Sequence, residues 1–225
     1  MKYNLRRKIA AGLAAAMLLS AVTVSLSIVS FAATSSKVTG KSTAAKKKEL
    51  SIGEVKKNVY VNDYFGLKLA VPDGFTFGDE AAVAEIDGST EAFIKDKDAV
   101  IKTIKKGDPV TVAYADNEDN YDNINVTINL ADVETDLKKQ LEDSIPEVKD
   151  TLKEIGITPK EVSVVKAKVS GKDTYLLTTH GLISDEYDIY QKQYMGTEGD
   201  YTVCITFTSF ARDDTDDMIK LLELD

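Results

Sequence analysis

The segment Tyr201–Phe210 alternates apolar residues with Thr or Cys, with a period of two, from residue 201 to residue 208. Its apolar face is formed by Tyr201, Val203, Ile205 and Phe207. Nearly every residue is β-branched or aromatic, which is typical of a sheet strand with one strongly apolar face. A chain built around such a strand needs a second layer of structure to cover that face.

Three earlier segments carry the same strand signal, at residues 162–169, 174–179 and 187–195. Turn-forming sequences rich in Gly, Ser and Asp separate them at residues 170–173 and 196–199. The C-terminal third of the chain is therefore predicted to be an antiparallel meander.

The N-terminus has the features of an export signal. Four basic residues among the first eight precede an uncharged stretch at residues 9–33, and the small-x-small pattern Ser30-Phe31-Ala32 predicts cleavage after Ala32. Residues 1–32 are thus predicted to be a signal peptide. The alternative is an uncleaved membrane-anchoring helix, because 25 uncharged residues are long enough to span a bilayer.

Cysteine usage agrees with export into a bacterial envelope that does not rely on disulfides. Cys204 is the single cysteine, so the chain cannot form an intramolecular disulfide. Because Cys204 lies within the alternating strand, we interpret it as a small buried apolar residue rather than a reactive thiol. We expect an extracellular or envelope-associated bacterial protein whose fold depends on its core.

The charge of the chain is unevenly distributed. Removal of residues 1–32 would leave 24 basic and 37 acidic residues, a net charge of about −13. Residues 33–57, rich in Lys, Ser and Thr, carry a net +5 and are predicted to be a flexible tether, whereas residues 58–225 carry about −18. Such an acidic domain disfavours nucleic-acid binding. The tether is either a solvated spacer or makes weak electrostatic contact with anionic wall polymer or lipid.

Residues 58–225 are predicted to form a single folded domain. Its predicted elements are a hairpin at residues 59–71, helix-rich residues 79–106, a second hairpin at 110–130, a helical segment at 132–156, the meander, and a helix at 213–224. In the fourth of these, Pro146 and a capping box of Ser144 with Glu147 predict two abutting helices or a kink. The predicted core includes Val203, Ile205, Phe207, Leu137, Leu141, Val148 and Leu152.

The order of these elements resembles the PsbP-like superfamily. The residues that carry the resemblance are Tyr64-Phe65-Gly66-Leu67 and Pro72-Asp73-Gly74-Phe75, followed by an amphipathic helix, a Gly-Lys hairpin and paired Tyr-rich strands. The resemblance covers residues 58–225 and implies an α+β fold, an α/β/α sandwich in which helices flank an antiparallel sheet of about six to eight strands. It also implies a non-enzymatic scaffold or binding module, and no functional residue of the family is carried over.

The sequence offers little chemistry for catalysis or for cofactors. His180 is the single histidine, it ends a predicted strand, and we interpret it as a surface or hydrogen-bonded structural residue rather than a general base. One His and one Cys are too few for a zinc site, and no Gly-rich phosphate loop is present, so no cofactor is predicted. An acid-catalysed glycan hydrolase with two carboxylates remains the enzymatic alternative.

The acidic loop at residues 116–122 supplies oxygen ligands that calcium could use. The weak candidates are Asp116, Glu118, Asp119 and Asp122. The loop departs from the EF-hand pattern, with Tyr121 where Gly is required and Thr127 where the bidentate Glu should be. A solvated hairpin tip is the simpler interpretation, and a weak calcium-responsive module is the alternative.

Tyrosines are concentrated in the meander. Tyr187, Tyr190 and Tyr194 are the candidate interaction surface, since tyrosines on an open sheet face suit recognition of a protein or a glycan. The alternative is that they pack under helices or form ordinary cross-strand pairs. The sequence as a whole predicts an exported binding module of the envelope without a catalytic site.

Overall fold

The computed structural model of the protein describes residues 48–131 and 136–225. Its elements, in chain order, are β1 (Glu54–Lys56), β2 (Val59–Asn62), β3 (Leu67–Ala70), β4 (Thr76–Phe77), α1 (Glu80–Asp87), α2 (Glu91–Lys95), α3 (Lys97–Ile104), β5 (Val110–Asp116), β6 (Asn123–Leu130), α4 (Leu137–Glu154), β7 (Ile157–Val169), β8 (Lys172–Ile183), β9 (Tyr187–Glu198), β10 (Tyr201–Phe210), α5 (Thr215–Ile219) and β11 (Leu222–Leu224). The predicted signal peptide and most of the predicted tether lie outside the described residues.

Across these two ranges the strands form two antiparallel sheets. The large sheet has the order β4-β5-β6-β10-β9-β8-β7, and the small sheet has the order β1-β2-β3-β11. The meander β7–β10 is confirmed, with each strand pairing to the next in the chain. β10 lies at the centre of the large sheet, between β6 and β9.

The two faces of β10 face different layers. Val203, Ile205 and Phe207 are fully buried against the small sheet and the helices α1–α3. On the opposite face, Leu141, Val148 and Leu152 of α4 pack with apolar residues of β7, β8 and β9. This arrangement of helices and an antiparallel sheet confirms the predicted α+β class, and six of the seven named core residues are buried, while Leu137 is half-buried.

The folded region begins earlier than the predicted boundary at residue 58. Leu50 is buried, β1 pairs with β2 through Glu54 and Val61, and Asn62 Nδ2 donates to the Ser51 carbonyl at 3.0 Å. The polar composition of the segment concealed these contacts, because a three-residue edge strand needs few apolar residues.

The predicted C-terminal helix at residues 213–224 is wrong in its second half. The helix α5 ends at Ile219, and Leu222 and Leu224 form β11, pairing with Leu69 and Leu67 of β3. Helical periodicity and strand alternation are hard to distinguish over so short a stretch. Pairing with Leu67 and Leu69 of β3 favours the strand over the helix for these residues.

The predicted capping box at Ser144 does not form. α4 runs without a break through Pro146, and Ser144 Oγ donates to the Leu141 carbonyl at 2.8 Å instead of capping a new helix. Asp136 caps the N-terminus of α4, accepting from Lys139 N at 3.2 Å. The continuous apolar stripe against β7 and β8 favours one helix over two, because both turns around Pro146 contribute buried residues.

Candidate functional site

A groove of about 470 Å³ lies on the large sheet where β7, β8 and β9 meet α5. Alternate residues of the strands form its floor, because every second side chain of a strand points to the same face. The residues that line it include Glu161, Ser163 and Val165 of β7, Thr178 and His180 of β8, Tyr190 and Lys192 of β9, Asp213 just before α5, and Asp216 in α5. Lys192 is paired in register with Phe207, so this is the face that builds the large core elsewhere in the sheet.

His180 and Tyr190 form a stacked pair in the groove. They are cross-strand neighbours, their ring centroids are 4.6 Å apart, and their planes differ by 8°. His180 Nε2 lies 2.7 Å from Asp188 Oδ1, which fixes the orientation of the imidazole. Burial raises the pKa of Tyr190, and the negative charges of Asp188 and Asp213 add to that rise. Tyr190 is thus a neutral hydroxyl at the centre of the groove.

Lys192 joins β9, which forms part of the groove floor, to α5, which forms one wall. Its side chain is 13% exposed, and Nζ lies 2.6 Å from Asp216 Oδ1 and 3.9 Å from Asp213 Oδ2. The pair holds the start of α5 against β9. These three charged groups form part of the groove wall. An ammonium group has three donors and a carboxylate has several acceptor positions, so each group can still bond to a polar ligand.

The arrangement around His180 differs from a hydrolytic triad. A serine nucleophile needs a direct hydrogen bond to the histidine that removes its proton. Ser163 Oγ lies 2.9 Å from Thr178 Oγ1 and 3.1 Å from Glu161 Oε1. In this groove the hydroxyls and the imidazole thus serve separate hydrogen-bond networks.

The structure does not bring the three candidate tyrosines together. Tyr190 lies in the groove. Tyr194 shares its face but is 8% exposed and belongs to the large core, while Tyr187 packs on the opposite face against the cluster under α4. Sequence reasoning missed Lys192 and the partnership of His180 with Tyr190. The alternation of β9 could have found the former, because Tyr190 and Lys192 are two residues apart.

The calcium candidates differ in burial and in hydrogen bonding. Asp122 is buried and accepts from Phe210 N at 2.9 Å and from Asn120 Nδ2 at 2.8 Å, whereas Glu118 and Asp119 are exposed. Asp116 is half-buried at the end of β5, and burial raises its pKa. In residues 48–131 and 136–225, no group of three or more His, Cys, Asp or Glu side chains is arranged to hold a metal ion. Asp122 instead ties the loop to β10.

Three further observations bear on the predicted chemistry. Cys204 is buried, and burial raises the pKa of its thiol to about 11.

The carboxyl groups with raised pKa values lie outside the groove. Burial raises the pKa of Asp116 and of Asp122, and both belong to the β5–β6 hairpin. The groove carboxylates of Asp213 and Asp216 pair with Lys192. None of the helices among the described residues is both long enough and apolar enough to cross a bilayer.

Comparison with known proteins yields matches at the level of structure. No family model matches the sequence, and no curated protein matches it. The fold is similar to the solution structure of cyanobacterial PsbP (CyanoP) from Synechocystis sp. PCC 6803, with 14% sequence identity and a TM-score of 0.47 over 78% of this chain and 98% of that chain. At this identity and TM-score the similarity concerns the fold alone.

Proposed function

We propose that the chain is an exported bacterial protein, extracellular or associated with the cell envelope, that acts by binding a protein or glycan partner and carries out no catalysis. The observation that supports this function most is the groove on β7–β9. It presents an aromatic pair, two hydroxyls and a set of paired charges on the large sheet. Ligand sites of this kind combine an aromatic surface with a few placed polar groups.

Binding fits the groove better than hydrolysis does. Acid-catalysed glycan cleavage needs one carboxyl group that stays protonated near neutral pH and a second carboxylate across the scissile bond. Asp213 and Asp216 instead both lie beside the same ammonium group of Lys192, at 3.9 and 2.6 Å. Export is supported by the basic and uncharged segments of residues 1–33.

The test measures retention of the chain from residue 33 onward on purified bacterial envelope. Tyr190→Ala removes the aromatic centre of the groove, and Leu130→Ala is the matched control, because Leu130 is an exposed apolar residue at the far end of β6. We expect Tyr190→Ala to weaken retention about tenfold, the usual effect of truncating a central aromatic contact, and Leu130→Ala to leave it unchanged. Thermal melts of both variants verify that they fold.

Equal retention of the wild type and the Tyr190→Ala variant would refute the groove as the binding site. The absence of catalysis is tested separately, by following the release of soluble sugars from the same envelope preparation. Release that the wild type accelerates and that a His180→Ala or Asp216→Ala variant abolishes would contradict a purely binding function and favour the glycan hydrolase.

A further inference from the structure

The four sheet edges of the described structure differ in length. β1 and β11 have three residues each and β4 has two, whereas β7, the other edge of the large sheet, has 13. Among the strands of residues 48–131 and 136–225, β7 pairs with β8 on one side, and its other side has no partner strand. A long unpaired edge presents a row of backbone N–H and C=O groups to which another strand can be added.

The side chains of β7 indicate which kind of strand could be added beside it. A bulge interrupts the pairing near Lys160, so the regular part runs from Glu161 to Val169. Val165, at its centre, is 37% exposed and lines the groove. Lys166 and Lys168 alternate with Val165 and Ala167 along β7, and both lysines are exposed. β7 therefore has three lysines and one glutamate within a chain of net charge −9.

The two lysines keep hydrogen-bonding capacity for a partner. Asp173 on β8 accepts from both, with Nζ–Oδ distances of 3.4 Å to Lys166 and 2.6 Å to Lys168. An ammonium group has three donors, so each lysine can bind a further carboxylate. Since Lys166 and Lys168 are two residues apart, a strand placed beside β7 would meet them with residues that are also two apart.

A second copy of the chain is a poor occupant of this edge. Antiparallel pairing of two β7 strands about Val165 sets Lys166 and Lys168 opposite Val164 and Val162 of the other copy. The shared edge would then hold six lysines and two glutamates, counting Lys160 of each copy. Lys166 of one copy would be a diagonal neighbour of Lys166 of the other, with no acidic residue opposite either, and lysines on an edge discourage this kind of self-association.

We propose that β7 is a docking edge for an extended acidic segment of a partner protein, which adds to the large sheet as a further antiparallel strand. Main-chain hydrogen bonds would supply affinity, and acidic residues at alternate positions would pair with Lys166 and Lys168. The side chains between them would lie beside Val165 and Ala167, next to the groove. This inference rests on the proposed binding function but uses residues other than Tyr190.

The test uses the chain from residue 33 onward and a labelled, end-blocked nine-residue peptide that alternates Glu and Thr. We expect saturable binding by fluorescence anisotropy. A Lys166→Glu/Lys168→Glu double variant should bind at least about tenfold more weakly, because two attractive pairs become repulsive. The control is Lys102→Glu/Lys105→Glu, which makes the same change of charge at exposed lysines at the end of α3. This control should change the affinity less than about twofold by the same measure.

N-methylation of the peptide separates strand addition from simple charge attraction. One peptide is N-methylated at every Thr and the other at every Glu. Successive N–H groups of a strand point to opposite edges, so only one of the two series should lose binding. Equal binding of both series, equal weakening by the control variant, or no saturable binding would overturn the proposal.

Sedimentation of the unliganded chain tests whether a second copy of the chain occupies the edge of β7. A monomer is expected, and a dimer that the Lys166→Glu/Lys168→Glu variant abolishes would show that a second copy occupies the edge and would refute the acidic partner. The outcome is independent of the groove experiment. Loss of envelope retention in Tyr190→Ala together with peptide binding by the wild type would leave both proposals standing, and the same loss of retention without peptide binding by the wild type would refute the edge alone.

Discussion

Asp122 joins the β5–β6 loop to the end of β10, and its ionisation should weaken the fold at neutral pH. The side chain is 3% exposed and accepts hydrogen bonds from Phe210 N and Asn120 Nδ2. Burial raises its pKa from 3.8 to about 6, although both hydrogen bonds favour the ionised form. The carboxylate of Asp214 adds to the rise, and Arg212 opposes it.

The sign of the effect follows from proton linkage. The folded-state pKa exceeds that of the unfolded chain, so the folded state binds the proton more tightly. Its contribution to stability is fully present below about pH 3.8 and is lost as the pH rises through about 6. The difference corresponds to at most roughly 3 kcal/mol, at 1.36 kcal/mol for each pH unit between the two pKa values.

The assay compares urea unfolding of the wild type and Asp122→Asn from pH 4 to pH 7. The amide keeps an acceptor for Phe210 N but cannot ionise. The free energy of unfolding of the wild type, relative to the variant, should therefore fall by up to roughly 3 kcal/mol over this range. Asp119→Asn, an exposed carboxyl of the same loop, is the control and should follow the wild type. Parallel profiles for wild type and Asp122→Asn would refute the reasoning.

Three further predictions concern the core, the thiol and the basic segment. Ile205→Ala should lower the free energy of unfolding by roughly 2 to 5 kcal/mol in denaturant melts, because Ile205 is fully buried, and a loss below about 0.5 kcal/mol would contradict its place in the core. Cys204 should react with a thiol reagent at pH 8 only after denaturation, because burial raises its pKa to about 11, and rapid labelling of the native chain would be inconsistent with this. Changing the five lysines at positions 37, 41, 46, 47 and 48 to Gln should reduce retention on anionic envelope at low salt and not at physiological salt, and equal retention at low salt would make the segment a spacer.

The meander was predictable from local sequence because each strand contains its own signal. Val203, Ile205 and Phe207 alternate with polar residues along β10, and the turns that follow β7 and β9 contain Gly. β11 and β1 have three residues each, and their pairing depends on partners that are distant in the chain. No window of the sequence contains that information, so tertiary contacts decided both elements.

The groove could be predicted only in part, for a similar reason. Alternation assigns Tyr190 and Lys192 to one face of β9, but it does not say which face the small sheet leaves open. That depends on the register His180–Tyr190 and on the contact of Lys192 with Asp216, which joins residues from separate elements. Composition alone grouped Tyr187 and Tyr194 with Tyr190. In the structure the pleat of β9 puts Tyr187 on the opposite face, and Tyr194 is buried in the large core.

Unequal strand lengths account for both proposed binding surfaces. β7, β8 and β9 have 13, 12 and 12 residues and each spans about 40 Å at 3.3 Å per residue, whereas the strands of the small sheet have three or four and span about 10 to 14 Å. The small sheet cannot cover strands three times its length, so part of one face stays open as the groove. The length of β7 also makes its outer edge long, and no strand of residues 48–131 and 136–225 pairs with that edge. α5 closes one side of the groove through Lys192, and the lysines of β7 restrict its edge to acidic partners. The same long hairpins that stabilise the core thus extend past it, and the residues on the extension are free to serve recognition.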